Sequence, residues 1–271
     1  ILIVGGGPAG LSTWMHLNKY APDLAEKTLL IEKETYPRDK VCGGGLGGWS
    51  GMVLKQLRIT LDVPHLPISD VEFIYGDNHF MLHQPNQFIM IQRREFDHLL
   101  AKTAIKRGLN LCQGVQFLDL SRKNDGLVVK TSKGNYKVKV LIAADGSLSK
   151  IRHKLRITNA KFFAPTLETF TPLNPDFDEE INQKKITLDL SEIDNGLQGY
   201  IWHCPAIGND SHKMCHGLAD FRIYPDKEKA DMKAILKGIL KKRNKEINLN
   251  SWVSHPIRWY APSEIVSQPN I

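Results

Sequence analysis

The sequence predicts an α/β fold in which a parallel-sheet unit is followed by a β-rich, antiparallel one. Three observations lead there. A short apolar run opens the chain and feeds a glycine turn and a helix; a second strand-to-helix corner recurs near residue 145; and after Asn159 the texture changes to prolines and long extended segments.

Ile1 to Val4 is a continuous, β-branched run of the kind that fills a parallel strand buried on both faces. From Pro8, the spacing of Leu11, Trp14, Met15 and Leu17 is helical, and Pro8 suits a first turn whose N–H has no partner anyway. The helix is expected to end near Tyr20 to Pro22. Thr28 to Ile31 is a second buried strand ending at Glu32, so residues 1 to 32 form one βαβ unit. Five glycines crowd residues 43 to 48 and predict a loop, with a weakly helical stretch after it through Met52, Leu54 and Leu57. Val71–Tyr75, Phe80–Leu82 and Phe88–Ile91 are expected as short strands. Phe96, Leu99, Leu100, Thr103 and Ile105 outline a helix stopped by Gly108. Asn110–Leu118, Leu127–Lys130 and Tyr136–Val140 are strand-like, and Leu141 to Ala144 is the apolar strand that runs into Asp145, Gly146 and Ser147. Beyond residue 160, strands are expected at Lys185–Leu190, Tyr200–His203 and Cys215–Tyr224, with one helix at Lys227–Lys241.

Composition narrows the class. The chain has 271 residues, 42% hydrophobic and 24% charged, so disordered, collagen-like and disulfide-scaffold readings drop out. A net charge of +7 favours anionic ligands or surfaces. Four cysteines without a CxxC pair favour a reducing, cytoplasmic setting. No apolar run approaches the roughly 20 residues that span a bilayer, and no signal-peptide core is present. The abrupt start at Ile1 and end at Ile271 suggest a fragment of a longer chain.

The strongest chemical signal is GGGPAG at residues 5 to 10, directly after a strand and directly before a helix, with Glu32 closing the next strand. Gly5 permits the tight turn, Gly7 removes a side chain where backbone meets a pyrophosphate, and Gly10 lets helix and strand pack closely. Free amides, with Pro8 and Ala9 in the first helical turn, then face the phosphates. Glu32 is the carboxylate for a ribose diol, with Lys33 beside it. This is a Rossmann-type dinucleotide fingerprint; NAD and FAD both satisfy it. GxSxG, HExxH, P-loop and second GxGxxG patterns are absent. His203, Cys204, His212, Cys215 and His216 concentrate metal-binding side chains, but neighbours in a strand point to opposite faces, so no metal site is expected.

Together with the Arg93-Arg94-Glu95-Phe96-Asp97 entry to a helix and Ala144-Asp145-Gly146-Ser147, these residues resemble the FAD-dependent reductases and hydroxylases of the p-hydroxybenzoate-hydroxylase type. Within them, Pro37-Arg38-Asp39-Lys40-Val41-Cys42-Gly43-Gly44-Gly45-Leu46 resembles the loop of the geranylgeranyl reductase family. Tyr200-Ile201-Trp202-His203-Cys204-Pro205 followed by Gly217-Leu218-Ala219 is similar to that family's YxWxFP and GxG wall. It departs from the pattern in Cys204, in a longer spacer and in Ala219, changes that bear on substrate shape.

The resemblance implies a Rossmann-type FAD-binding domain at residues 1–62 and 87–160, and a β-rich substrate domain at 63–86 and 161–271, lacking a third, Gly-Asp cofactor motif expected just after Asn270. It implies FAD along Gly5 to Gly10 and Glu32, with Arg38, Lys40, Cys42, Gly43 and Gly44 beside the ring. Arg93 (Arg94 as the neighbouring choice), Asp145 and Gly146 complete the cofactor set, and Tyr200 and Trp202 line the substrate. Cys42 is the candidate for a redox or substrate-positioning role, against a plain packing role; no residue stands out as proton donor. The implied activity is hydride transfer from reduced flavin to carbon–carbon double bonds of an isoprenoid, with NAD(P)H or a ferredoxin-like protein as reductant. A flavin monooxygenase or halogenase is the first alternative, and a flavin-binding protein without turnover the second. No nucleic-acid partner is expected. The basic Lys227–Lys245 segment is expected to be a core-facing helix, with peripheral membrane contact as its rival reading.

Overall fold

The computed structural model describes residues 1–157, 163–174, 176–209, 212–259 and 266–271. Strand β1 (Leu2–Val4) leads through the glycine turn into α1 (Pro8–Tyr20), and the short α2 (Pro22–Glu26) precedes β2 (Leu29–Glu32). Next come β3 (Gly45–Gly47), α3 (Gly48–Gln56), the hairpin β4 (His65–Tyr75) and β5 (Asn78–Ile91), and α4 (Arg93–Lys106). Strands β6 (Asn110–Gln113), β7 (Phe117–Lys123), β8 (Gly126–Thr131), β9 (Gly134–Val138) and β10 (Leu141–Ala143) lead to α5 (Lys150–Lys154). The remainder is β11 (Phe163–Ala164), β12 (Thr166–Pro172), α6 (Glu179–Asn182), β13 (Lys185–Asp189), β14 (Gly199–Ile207), β15 (His212–Asp220), α7 (Met232–Lys242) and β16 (Ile257–Arg258).

These elements build two principal sheets. The first is parallel, in the order β10-β1-β2-β6. Apolar β1 and β2 face both ways, as continuous hydrophobic strands must. On one side Ile3 and Leu30 pack with Leu11, Trp14 and Met15 of α1, Leu54 of α3, and Phe96 and Leu100 of α4. On the other, Leu2, Val4 and Ile31 meet Phe117, Leu120, Leu127 and Val129 of the antiparallel β7-β8-β9 meander. The result is the layered α/β fold that the opening βαβ pattern predicts.

The second sheet has seven strands, β12-β15-β14-β13-β4-β5-β3, antiparallel except where β13 runs parallel to β4. Its two faces differ. On one, the hydrophobic stripe of α7 (Leu236, Ile239, Leu240) covers Leu167, Ile201 and Leu218. The other carries Val71, Met90, Ile186, Trp202, Cys204, Cys215 and Ala219 and turns toward the 40–45 loop.

Several expectations change. The five-glycine run is not all loop: Gly45–Gly47 pairs with Phe88–Met90 of β5, and Gly48 begins α3. The three short strands between 71 and 91 are one hairpin, and the expected break at residues 86/87 falls inside β5. Asn110–Leu118 divides at Gly114, whose φ of +67° bends the chain between β6 and β7. The strand expected at Cys215–Tyr224 is shifted earlier because Tyr224 N–H leaves the sheet to donate to Gln198 Oε1. Helix α7 starts late because the Asp231 carboxylate caps Lys233 and Ala234 amides, while Arg222 holds the carbonyls of Pro225, Lys227 and Glu228 outside it. The boundary expected near residue 160 lies outside the described residues.

Candidate active site

The turn after β1 is built by contact. Gly5 has φ +108°, and a Cβ there would lie 2.2 Å from the Ala144 carbonyl oxygen, so β1 and β10 converge only because this residue is glycine. A Cβ on Gly10 would lie 2.0 Å from the Gly5 oxygen, which ties the helix to the turn. Gly7 differs. The nearest atoms to its missing Cβ are guanidinium nitrogens, Arg93 Nη2 at 3.9 Å and Arg38 Nη2 at 4.0 Å. Backbone amides at the start of α1 and two guanidinium groups thus converge on a space with no side chain, a cradle whose donors suit a diphosphate.

Glu32, almost wholly buried, accepts from Gly6 N at 2.7 Å and from Glu34 N at 3.0 Å, leaving lone pairs for a sugar hydroxyl. Tyr36 donates its hydroxyl hydrogen to the Gly6 carbonyl, and burial, then the nearby Glu32 charge, pushes the phenol pKa well up. Lys33 is exposed and pairs with Glu34 at 3.5 Å. Pro8 and Ala9 form the first turn of α1.

The two arginines are held by one carboxylate. Asp97 on α4 is fully buried; it accepts from Arg93 Nε at 2.7 Å and Nη2 at 2.8 Å, and pairs with Arg38 Nη1 at 3.1 Å. Burial opposes the Arg93 charge, but the Asp97 hydrogen bonds and the nearby Cys42 raise its pKa overall. Arg94 points elsewhere, to Asp39 at 3.2 Å. Arg93 is therefore the arginine that belongs to this site.

The loop between β2 and β3 spans the two sheets. Gly44, at φ +84°, lies so close to Ile91 that a Cβ would stand 2.0 Å from its carbonyl oxygen. Gly44 N lies 3.4 Å from Cys42 Sγ. Gly43 faces the indole edge of Trp202: a Cβ there would lie 3.4 Å from Trp202 Nε1. Lys40 Nζ sits 2.6 Å from His255 Nε2, which is also 2.8 Å from Ser147 Oγ. Burial, then the Arg93 charge, lowers the Lys40 pKa, and burial, then Lys40, lowers that of His255; the donor-only Lys40 ammonium makes Nε2 its acceptor. Asp145 Oδ2 accepts from Ile151 N at 3.2 Å, and buried Oδ1 has no hydrogen-bond partner among the described residues. Gly146, at φ +84°, carries the turn between them.

On the large sheet, Glu168, Gly217, Trp202, Leu188, Phe73 and Phe80 form one cross-strand row. Trp202 lies across Gly217, where a Cβ would be 2.3 Å from its ring, and Trp202 Nε1 is 3.4 Å from Cys215 Sγ. Tyr200 packs edge-on against Trp202 with ring centroids 6.1 Å apart. Sequence reasoning missed Tyr36, Asp97, Glu168 and His255 as site residues. Asp97 sat within a quoted motif and Tyr36 directly before one, but nothing local marked Glu168 and His255, because each reaches the site from a distant strand or loop. The His and Cys side chains of β14 and β15 divide by strand alternation. His203 and His216 meet on the α7 side, Nδ1 to Nδ1 at 2.8 Å, while Cys204 and Cys215 face the Trp202 side.

Comparison with known proteins gives this geometry a context. The FAD binding domain family matches residues 1–184. An uncharacterised protein of Methanosarcina barkeri is 26% identical over 220 residues, covering 76% of this chain and 50% of its own. Digeranylgeranylglycerophospholipid reductase 3 of Methanosphaera stadtmanae is 28% identical over 160 residues, 54% of this chain and 38% of its own. A 1H-pyrrole-2-carbonyl-[peptidyl-carrier protein] brominase of Pseudoalteromonas luteoviolacea is 26% identical over 155 residues, 54% and 37% of the two chains. The chain thus spans half or less of the length of these curated relatives. Among solved structures, a geranylgeranyl bacteriochlorophyll reductase-like protein of Thermoplasma acidophilum superposes with a TM-score of 0.76 at 20% identity, covering 99% of this chain and 68% of that one. The halogenase PltM in complex with phloroglucinol and FAD gives 0.67 at 16% identity, covering 93% and 59%. With the family match covering most of its length, the chain belongs to the FAD binding domain family.

Proposed function

We propose that this chain is the flavin-holding and substrate-facing part of an FAD-dependent reductase acting on carbon–carbon double bonds of an isoprenoid chain. The observation that carries the reading is the meeting of Gly43 with Trp202. The glycine loop that begins at the arginine cradle ends against a sheet face made of Trp202, Tyr200, Leu188, Phe73 and Ile186. An apolar wall next to a cofactor site suits a hydrocarbon chain and keeps water from the reacting atoms.

In this reading the amides of the Gly5–Gly10 turn with Arg38 and Arg93 hold the diphosphate, Glu32 the ribose, and Asp145 with Gly146 the remaining polar chain. Bound FAD supplies two-electron hydride chemistry. The protein's residues do the rest. Asp97 keeps both guanidinium groups aimed at Gly7, Lys40 adds positive charge on the loop, and Trp202 with Tyr200 shapes the apolar face that Gly43 meets. The reductant, NAD(P)H or an acidic electron carrier meeting the basic surface, belongs to this proposal, as does any contact with a membrane surface.

The test is reconstitution. The protein is purified with FAD, reduced anaerobically with dithionite and mixed with geranylgeranyl diphosphate. Mass spectrometry of the product should show two hydrogens gained per reduced double bond. Product without added hydrogen overturns the reading. The brominase and halogenase relatives support a second reading, oxygen-dependent chemistry on the same scaffold; incorporation of oxygen or halide in air would favour it.

A further inference from the structure

We infer that Glu168 is the proton donor of the reaction carried out between the Cys42 loop and the Trp202 face, an inference that rests on the reductase reading above.

Glu168 stands on β12 in an otherwise apolar cross-strand row, beside Gly217 and Trp202. It is 2% exposed. The other buried carboxylates among the described residues all have cations: Glu32 has Arg38, Asp97 has Arg38 and Arg93, Asp178 has Lys245, Glu180 has Arg243 and Asp220 has Arg222. Glu168 forms no ion pair among the described residues, and its Oε1 finds no hydrogen-bond partner there either. An acid left in this state costs stability and is hard to explain as packing.

The surroundings set it where the Cys42 loop meets the Trp202 face. Gly217 lets the Trp202 ring lie down beside Glu168: a Cβ there would stand 2.3 Å from the ring and 2.8 Å from Glu168 Cβ. The Cys42 amide from the loop donates toward its carboxyl. The charged and titratable groups facing it are Lys40 and Cys42 of the loop, Cys215 of β15 and Cys204 of β14. Burial pushes the Glu168 pKa up to about 7, against the opposing pull of the Cys42 amide and the Lys40 charge. An acid held near neutrality can carry a proton into the reaction and let it go there.

The balance is simple. Saturating a double bond adds a hydride to one carbon and a proton to the other. The hydride would come from reduced flavin bound at the glycine turn. At the other carbon the Glu168 O–H bond breaks as the C–H bond forms, its electron pair stays on the carboxylate, and a proton from water restores the acid before the next turnover.

The test uses Glu168→Gln and Glu168→Asp, first without substrate. At pH 8 Glu168→Gln should need more urea to unfold than the wild-type chain, with the gap vanishing at pH 4. A protonated-carboxyl infrared band that titrates near neutrality should be missing from it. Loaded with FAD and reduced, Glu168→Gln should keep its flavin but be reoxidised by geranylgeranyl diphosphate at least 100-fold more slowly, with Glu168→Asp recovering part of the rate. A Glu168→Gln protein that reoxidises at the wild-type rate with an unchanged pH profile overturns the inference while the reductase reading stands. A wild-type chain that holds reduced flavin yet leaves the prenyl double bonds intact overturns that reading, and the inference with it.

Discussion

Arg93 and Asp97, one helical turn apart on α4, lock into a two-bond fork, Nε to Oδ1 at 2.7 Å and Nη2 to Oδ2 at 2.8 Å, and Arg38 shares the same carboxylate. Because Asp97 is fully buried, removing its charge strands two guanidinium groups. Asp97→Asn should cost about 3–5 kcal/mol in urea unfolding. Arg93→Lys keeps the charge but loses the fork, so it should fold and bind FAD roughly tenfold more weakly, about 1.4 kcal/mol by fluorescence titration.

The three fingerprint glycines should respond differently to the same substitution. Gly5→Ala and Gly10→Ala force a Cβ to within 2.2 Å and 2.0 Å of backbone oxygens, so both should lose more than about 2 kcal/mol of stability. Gly7→Ala meets only two guanidinium ends near 4 Å and should stay within about 0.5 kcal/mol of the parent in denaturant while losing flavin affinity. Equal destabilisation at all three positions would mean that the turn is merely a tight corner.

The buried His203–His216 pair sets an acid limit. Burial, followed by the Arg243 charge, lowers both, His216 to about 3 and His203 well below its ordinary value. The unfolded chain takes up protons near pH 6.5 that the folded chain refuses. Stability is therefore full above about 6.5 and falls as pH drops toward 3, by up to about 1.4 kcal/mol per pH unit for each titrating ring. His216→Gln, which keeps a hydrogen-bonding group for Thr171, should flatten this slope in urea titrations between pH 6.5 and 4.

Glu168 has the opposite sign. Its folded pKa of about 7 lies above the unfolded value, so its cost grows as pH rises from about 4.5 to 7. Glu168→Gln should thus stabilise the protein at pH 8 by roughly 3 kcal/mol at most.

Gly217→Ala tests the substrate wall. The new methyl would press on the Trp202 ring at 2.3 Å, so the indole must swing away from Cys215. A loss of about 1–3 kcal/mol and a shifted tryptophan emission should accompany a changed preference among prenyl chain lengths.

The parts of this fold that were legible in the sequence are those decided locally. Ile1 to Glu32 declare a buried strand, a glycine turn, a helix and an acid within one βαβ unit, and β1, α1 and β2 follow that pattern. The strand at Gly45–Gly47 was not legible, because only pairing with Phe88–Met90, some forty residues away, makes glycines extended. The β4–β5 hairpin was read as three pieces because much of β5 is exposed, leaving no alternation to connect Phe80 with Phe88. In the candidate site the glycines, Glu32, Arg93 and Trp202 were visible as motif members. Glu168 was not, since its meaning comes from lying beside Gly217 and Trp202 on neighbouring strands while lacking the cation that other buried acids have.

The parallel seam between β13 and β4 joins residues 185–189 to residues 70–74, so the wide sheet exists only after stretches more than a hundred positions apart have found each other. Such long-range closure makes assembly slow. A chain cut at residue 184, where the family match stops, would leave β4 as a raw, unzipped border inviting self-association. Expression trials should therefore carry the polypeptide through β15, and aggregation of shorter versions would mark this seam as the last stitch of folding.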